Sequence, residues 1–143
     1  MNPVAEDFKD VLVGAGLGTF ASSSGWSIHV GRYPEKPDTV ICLTDSGGYP
    51  SNPAFLIDHP TVQVMVRGTP NGLMAAYYKI VDIRRVLLGR PPEVINGARY
   101  VGVWEQSPIS LVGWDDKGRP LHTLNFRVTR EPAQEIGDHR EEP

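Results

Sequence analysis

Alternating apolar and polar side chains predict the first strands of the chain. Residues 26–33 and 61–67 both alternate, which is typical of strands with one buried face. In the second segment the three valines share one face and polar or long side chains occupy the other. Residues 39–44 form a short apolar run bounded by aspartates, which predicts a strand buried on both faces.

Two segments have the helical spacing of apolar residues. Residues 3–13 place apolar side chains at i, i+4, i+7 and i+8, with Asn2 as the candidate N-cap. A second apolar stripe covers residues 73–88, with Asn71 as the candidate cap, and Gly89 and two prolines end it. Because each helix has one apolar stripe, we expect both to pack on one face of a sheet.

The last third of the chain has the pattern of a meander. Asn96-Gly97 between apolar residues is typical of a two-residue hairpin turn. The strands predicted after this turn cover residues 99–105, 109–114 and 121–128. The order is helix, two or three strands, helix and four strands. It predicts an α+β fold, with a mostly antiparallel (mixed) sheet and a long helix and an N-terminal helix packed on one face.

Residues 45–60 interrupt these elements with many prolines and glycines, which predicts a long connection without regular structure. A loop of this length inside a compact domain is usually functional or ordered by a partner. We therefore regard it as a candidate contact arm.

Length and charge predict one domain followed by a tail. A chain of 143 residues suits a single core, and we assign residues 1–130 to one α+β domain. Residues 131–143 carry a net charge of −4 and no aromatic side chain, which predicts a flexible tail. An arm that docks on a basic partner is the alternative. The rest of the chain carries about +1, which does not suit a protein that grips nucleic acid.

Composition narrows the class of protein further. The single cysteine, Cys42, excludes an internal disulfide framework and a cysteine-based zinc cluster. No apolar run approaches the roughly 18 residues of a membrane span, and the first residues do not have the pattern of an export signal. We expect a soluble protein of the cytoplasm with no membrane partner.

Three features resemble parts of known sites, but each is incomplete. The glycines between Val11 and Gly18 are similar to a dinucleotide fingerprint, yet they follow a predicted helix rather than a strand. The segment Asp45-Ser-Gly-Gly48 is similar to a protease nucleophile loop and equally suits a tight turn. The four histidines are far apart in sequence. We expect no catalytic residue, cofactor or metal, and therefore not an enzyme.

We expect this protein to work by assembling with other protein chains rather than by catalysis. Trp104 and Trp114 lie in predicted strands, and tryptophan recurs at the centres of interfaces, although core packing is the commoner role of such residues. A meander also leaves a strand edge that is free to accept another chain.

Several segments resemble the tail terminator, or minor capsid, proteins of long-tailed bacteriophages. The similar segments are Thr44-Asp-Ser-Gly-Gly-Tyr-Pro-Ser-Asn-Pro53, Asp58-His-Pro-Thr-Val-Gln-Val-Met-Val-Arg-Gly68, Ile95-Asn-Gly-Ala-Arg-Tyr-Val-Gly-Val-Trp-Glu-Gln-Ser-Pro108 and Gly113-Trp-Asp-Asp-Lys-Gly-Arg-Pro-Leu-His-Thr-Leu-Asn-Phe-Arg-Val128. The resemblance covers about residues 38–130 and includes no catalytic motif.

This resemblance implies a virion structural protein of the tail and neck, assembled in the host cytoplasm. Such terminators form a homo-oligomeric ring, generally of six subunits, at the head-proximal end of the tail tube. The implied partners are other copies of the chain, the tail tube protein and the head–tail connector or neck protein, with DNA only passing through the lumen. The alternatives are another neck or head-completion protein and a small ligand-binding domain.

The resemblance also makes four arginines, Arg67, Arg84, Arg85 and Arg90, candidates for subunit or lumen contacts. Two of them lie off the apolar stripe of the second helix, for which a solvated helix face is the alternative. Together with the aromatic residues and the proline-rich loop, the expected interface residues are Asp45, Tyr49, Pro50, Phe55, Arg67, Arg84, Arg85, Trp104 and Trp114.

Overall fold

A computed structural model describes all residues, 1–143, as two helices and a seven-stranded sheet. The elements in chain order are α1 (Val4–Gly14), β1 (Thr19–Phe20), β2 (Ser27–Val30), β3 (Val40–Tyr49), β4 (His59–Arg67), α2 (Leu73–Leu87), β5 (Glu93–Ile95), β6 (Ala98–Trp114) and β7 (Pro120–Glu131).

The sheet is mixed and has the order β1-β2-β3-β4-β7-β6-β5. Strands β1, β2 and β3 are parallel to one another, whereas every other neighbouring pair is antiparallel. The last strand, β7, therefore lies at the centre of the sheet beside β4. The sheet ends in the two-residue β1 on one side and in β5 and β6 on the other.

The core lies between the two helices and one face of this sheet. Phe8 and Leu12 of α1 and Ile80 and Ile83 of α2 are fully buried in a single hydrophobic cluster. The strand residues of the same cluster include Ile41, Leu43, Val62, Val64, Val66, Leu124, Phe126 and Val128. This confirms the predicted apolar faces of residues 61–67 and 121–128. We call the opposite side of the sheet the open face.

Residues 39–44 were expected to be buried on both faces, and the structure confirms it for the centre of the strand. Ile41 and Leu43 face the helices, while Val40 and Cys42 form a small second cluster with Met65 on the open face.

The expected loop over residues 45–60 is wrong for much of its length. Strand β3 continues to Tyr49 and β4 begins at His59, so the irregular connection covers only residues 50–58. A bulge between Asp45 and Gly48 absorbs the glycines without ending the pairing. Gly48 has a φ of 137°, and a Cβ there would lie 2.4 Å from the carbonyl oxygen of His59, so only glycine lets the strands approach.

The expected break at Ser107-Pro108 is also wrong, because β6 is one strand of 17 residues. Register shifts on both sides of Ser107 accommodate the proline. Beyond Tyr100 the outer edge of β6 has no partner strand, since β5 pairs only with Ala98 to Tyr100. A proline at a free edge removes no ladder hydrogen bond. Three strands therefore follow α2 instead of four.

The expected helix caps differ from those observed. Pro3 and Gly72 occupy the N-cap positions, and neither of these residues caps its helix with a side-chain hydrogen bond. At α1 the carboxylate of Asp45, 40 residues away, accepts a hydrogen bond of 3.2 Å from the amide of Ala5. The predicted turn at Asn96-Gly97 is confirmed, with φ values of 48° and 85°.

A buried polar cluster ties α1 to the sheet. The Asp7 carboxylate, 1% exposed, accepts hydrogen bonds from the hydroxyl of Tyr100 and, at 2.7 Å, from the amide of Asn96. Arg130 donates to the Tyr100 hydroxyl at 3.1 Å and to the carbonyl of Asn2 at 2.8 Å. Burial raises the pKa of Tyr100, and its hydrogen bond to Asp7 raises it further, so the phenol stays protonated.

Candidate assembly surfaces

A depression on the open face brings together residues from four strands. Tyr49, His59, Trp104, Arg127 and Thr129 line a volume of about 350 Å³. The pairing of β4 with β7 and of β6 with β7 places these residues side by side, although they are far apart in sequence. Two of them, Tyr49 and Trp104, were expected interface residues.

The depression combines aromatic surface with a cation. The guanidinium of Arg127 lies 5.4 Å from the centre of the Trp104 ring, within the range of a cation–π contact. Arg127 is exposed, and no carboxylate lies within ion-pair distance of it. At the rim the side-chain amide of Gln106 donates a hydrogen bond of 3.2 Å to the hydroxyl of Tyr49. The depression is therefore suited to an apolar group with a negative charge beside it.

Gly102 holds the Trp104 ring in place. A Cβ at this position would lie 2.6 Å from the far edge of the indole, so the ring lies directly over the glycine. Trp104 is 42% exposed and Trp114 is 48% exposed, and neither belongs to the core. The alternative interpretation of these tryptophans as core residues is therefore wrong.

The free edge of β6 is a second candidate surface. Leu111, Val112 and Trp114 are 45%, 63% and 48% exposed. The stretch from residue 109 to 114 contains no charged side chain, so it lacks the lysines and inward charges that protect most strand edges. On α2, Tyr78 and Met74 are also more than half exposed. Exposed apolar side chains along an unpaired strand edge are typical of a protein contact.

The two arginines of α2 differ in their surroundings. Arg84 forms a two-pronged contact with Glu105 of β6 at 3.2 and 3.3 Å, which links the helix to the sheet. Arg85 is exposed and pairs with Asp82 one turn earlier at 3.1 Å.

Arg67 is 2% exposed, and its side chain forms its hydrogen bonds within the same chain. Its guanidinium donates to four backbone carbonyl oxygens between residues 34 and 38, at 2.8 to 3.2 Å. Arg119, also 2% exposed, holds the same segment through Glu35 and Asp38, at 2.9 and 3.2 Å, and contacts Asp115 at 2.7 Å. Both arginines fix the segment against the open face, and the structure gives Arg67 no accessible surface for a partner.

The connection 50–58 carries Pro50 and Phe55, both exposed. It is contacted by the C-terminal segment: Arg140 pairs with Asp58 at 2.7 Å. The amide of Leu56 donates to the carbonyl of Glu141 at 2.8 Å. The expected mobility of residues 131–143 stays a prediction, as does the interface role of the connection.

The sequence did not identify Arg127, His59 or Gln106 as candidates. Arg127 alternates with the core residues of β7 as any solvated residue does, and only the tertiary pairing places it over Trp104. No group of three or more histidine, cysteine or acidic side chains is placed to hold a metal ion. Neither helix has the length and apolar character needed to cross a membrane.

Comparison with known proteins identifies the family. A family model described as bacteriophage tail terminator protein matches residues 11–132. The chain belongs to the tail terminator family. Family membership makes it a structural protein of a phage virion and points to a non-enzymatic role. No curated protein matches the sequence at a significant level.

A solved structure shares the fold of this chain. A chain described as "Virion of native gene transfer agent (GTA) particle" matches with a TM-score of 0.56 and 16% sequence identity. The match covers 73% of this chain and 78% of that one. At this identity the similarity supports the fold alone.

Proposed function

We propose that this tail terminator protein forms a homo-oligomeric ring, of six subunits, on the head-proximal end of the phage tail tube. The ring stops polymerisation of the tube and joins the tail to the connector or neck protein. The observation that carries this proposal is the family match over residues 11–132. The ring assembles in the host cytoplasm and remains in the virion.

The arrangement of the sheet supports a ring. Its two ends differ, with the short β1 at one side and the long free edge of β6 at the other. Unlike surfaces on opposite sides of a subunit make head-to-tail contacts, and such contacts close into a ring when the rotation between subunits allows it. Trp104, Trp114 and the exposed residues of α2 supply the apolar area for these contacts.

The charge of the chain supports passage of DNA without tight binding. Residues 1–130 carry about +1, and most surface arginines, such as Arg84, Arg85 and Arg99, already pair with carboxylates. A strongly basic lumen would hold DNA through counterion release.

Electron microscopy of tails made without this protein tests the proposal. We expect overlong tubes without heads, and complementation with the wild-type chain or with the surface variant Lys117→Ala should restore joined particles of normal length. Tails of normal length that merely lack heads would contradict termination and would favour the alternative head-completion role. Normal infectious particles would contradict both.

A further inference from the structure

The C-terminal segment presents one apolar side chain at the tip of a tight turn. Ile136 is 108% exposed, more than in an extended reference chain, and is the most exposed large hydrophobic residue of the protein. The amide of Asp138 donates to the carbonyl of Glu135 at 3.1 Å, and Gly137 adopts a φ of 97°. This turn, residues 135–138, is called the Ile136 knob below.

Hydrogen bonds within the chain hold the conformation of the knob without a partner. The Asp138 carboxylate accepts a hydrogen bond of 2.7 Å from the amide of Glu135, which closes the turn a second time. The side-chain amide of Gln134 donates to the carbonyl of Arg140 at 3.1 Å, so both ends of the knob are held. A preformed turn loses little conformational entropy on binding, and an isoleucine left in water at its tip gains free energy when it is covered.

The depression on the open face has the complementary properties. Its walls are the rings of Tyr49 and Trp104, and its volume of about 350 Å³ accommodates a branched aliphatic side chain. Arg127 stands at the same site without a carboxylate partner, whereas the knob carries two carboxylates, those of Asp138 and of Glu135, the latter 68% exposed and 3.6 Å from the N-terminal amine. Shape and charge therefore match between two surfaces of the same chain.

We propose that the Ile136 knob of one copy inserts into the Tyr49–Trp104–Arg127 depression of the neighbouring copy. The knob does not occupy the depression of its own chain, because Ile136 is fully exposed. A knob and a hole at different places on one molecule give a head-to-tail contact, which is the kind that a ring requires. The knob lies outside the family-matched residues 11–132, so the family match by itself does not account for this contact.

Disulfide trapping between two variants tests the contact directly. Ile136→Cys is mixed with Thr129→Cys, each on a chain with a different tag, and oxidised; native Cys42 is 2% exposed and stays in both. We expect a mixed dimer in this mixture. The control mixes Ile136→Cys with Val94→Cys, at a site outside the depression that is 68% exposed and therefore more accessible than Thr129, and should give at least tenfold less.

Association of the intact variants gives a second, independent measurement. By analytical ultracentrifugation, Ile136→Asp and Arg127→Glu should each raise the concentration needed for self-association at least tenfold, whereas Ile136→Leu should leave it within twofold. Equal trapping in the control mixture, or unchanged association of Ile136→Asp, would overturn the contact. A wild-type chain that never associates, with the variants failing only to join tails, would assign the depression to the tube protein instead and would also overturn it.

This contact rests on the ring of the proposed function, but the two fail separately. Trapping and association report on contact between copies, whereas tail length in particles without the protein reports on termination.

Discussion

Two buried arginines hold the segment 34–38 against the sheet. Arg67 and Arg119 are both 2% exposed, yet one is satisfied by backbone carbonyls and the other by carboxylates. The three carboxylates that contact Arg119 are 19% to 59% exposed, so removing Arg119 leaves them partly hydrated and mainly removes hydrogen bonds to a buried cation. Lys117, which also pairs with Glu35, is by contrast half exposed.

We therefore expect Arg119→Ala to lower the free energy of unfolding by about 2 kcal/mol, because the buried guanidinium no longer donates hydrogen bonds that link Asp115, Asp38 and Glu35. Lys117→Ala, whose side chain is half exposed, should change it by less than about 1 kcal/mol. Urea unfolding of both variants measures the difference. Equal values would mean that the buried guanidinium contributes no more than a surface ion pair.

The Trp104 side chain should matter for assembly more than for stability. A fully buried tryptophan costs about 3–5 kcal/mol when replaced by alanine, but Trp104 is 42% exposed. We expect Trp104→Ala to lower the free energy of unfolding by about 1 kcal/mol and to reduce self-association at least tenfold.

Gly102→Ala provides a matched test, because the added Cβ displaces the Trp104 ring without removing it. The melting temperature of this variant should stay near that of the wild type, while its self-association falls as in Trp104→Ala. Ser110→Ala, on the same strand, is the control. A large loss of stability with normal assembly would contradict the role of the ring as a contact surface.

At the scale of elements, the C-terminal segment and the connection 50–58 hold each other. Burial alone would raise the pKa of Asp58, but hydrogen bonds from Arg140 and Ser51 and the charge of Arg140 hold it below its ordinary value. A carboxylate with a lowered pKa in the folded state stabilises that state fully above its unfolded pKa of about 4, and the contribution is lost as the pH falls through the folded value.

Acidification should therefore release the C-terminal segment. We expect hydrogen exchange at the amides of Leu56 and Glu141 to be protected at pH 6–7 and to lose relative protection below about pH 4. Arg140→Gln should remove the same protection already at neutral pH. Unchanged protection in Arg140→Gln would show that the backbone hydrogen bonds suffice without the ion pair.

Elements with a local pattern were predictable from the sequence, and those set by long-range pairing were not. The valines at 62, 64 and 66 and the Asn96-Gly97 turn identified their elements because period and turn chemistry act over a few residues. The extension of β3 through Gly48 depends on β4, and the continuity of β6 through Pro108 depends on which edge is free. The depression was not predictable for the same reason, because only the pairing of β3, β4 and β7 brings Tyr49 and Arg127 to one place.

At the scale of the whole molecule, a single sheet separates two chemically different sides. The helix side holds the core and the Asp7–Tyr100–Arg130 cluster, whereas the open face holds the arginine-fixed segment 34–38 and the depression. Contacts that build an oligomer can therefore change on the open face without disturbing the packing beneath. The solved structure that matches at 16% sequence identity shows that the fold is kept when most residues differ.

The central position of β7 has a consequence for synthesis on the ribosome. Strand β4 gains its second neighbour only when residues 121–127 have been made, about 60 positions after β4 itself. Until then Val62, Val64 and Val66 lie on an open strand edge, and Leu124 and Phe126 are missing from the core. Synthesis must therefore reach residue 127 before β4 has a neighbour on both sides, and until then its open edge can pair with a strand of another chain.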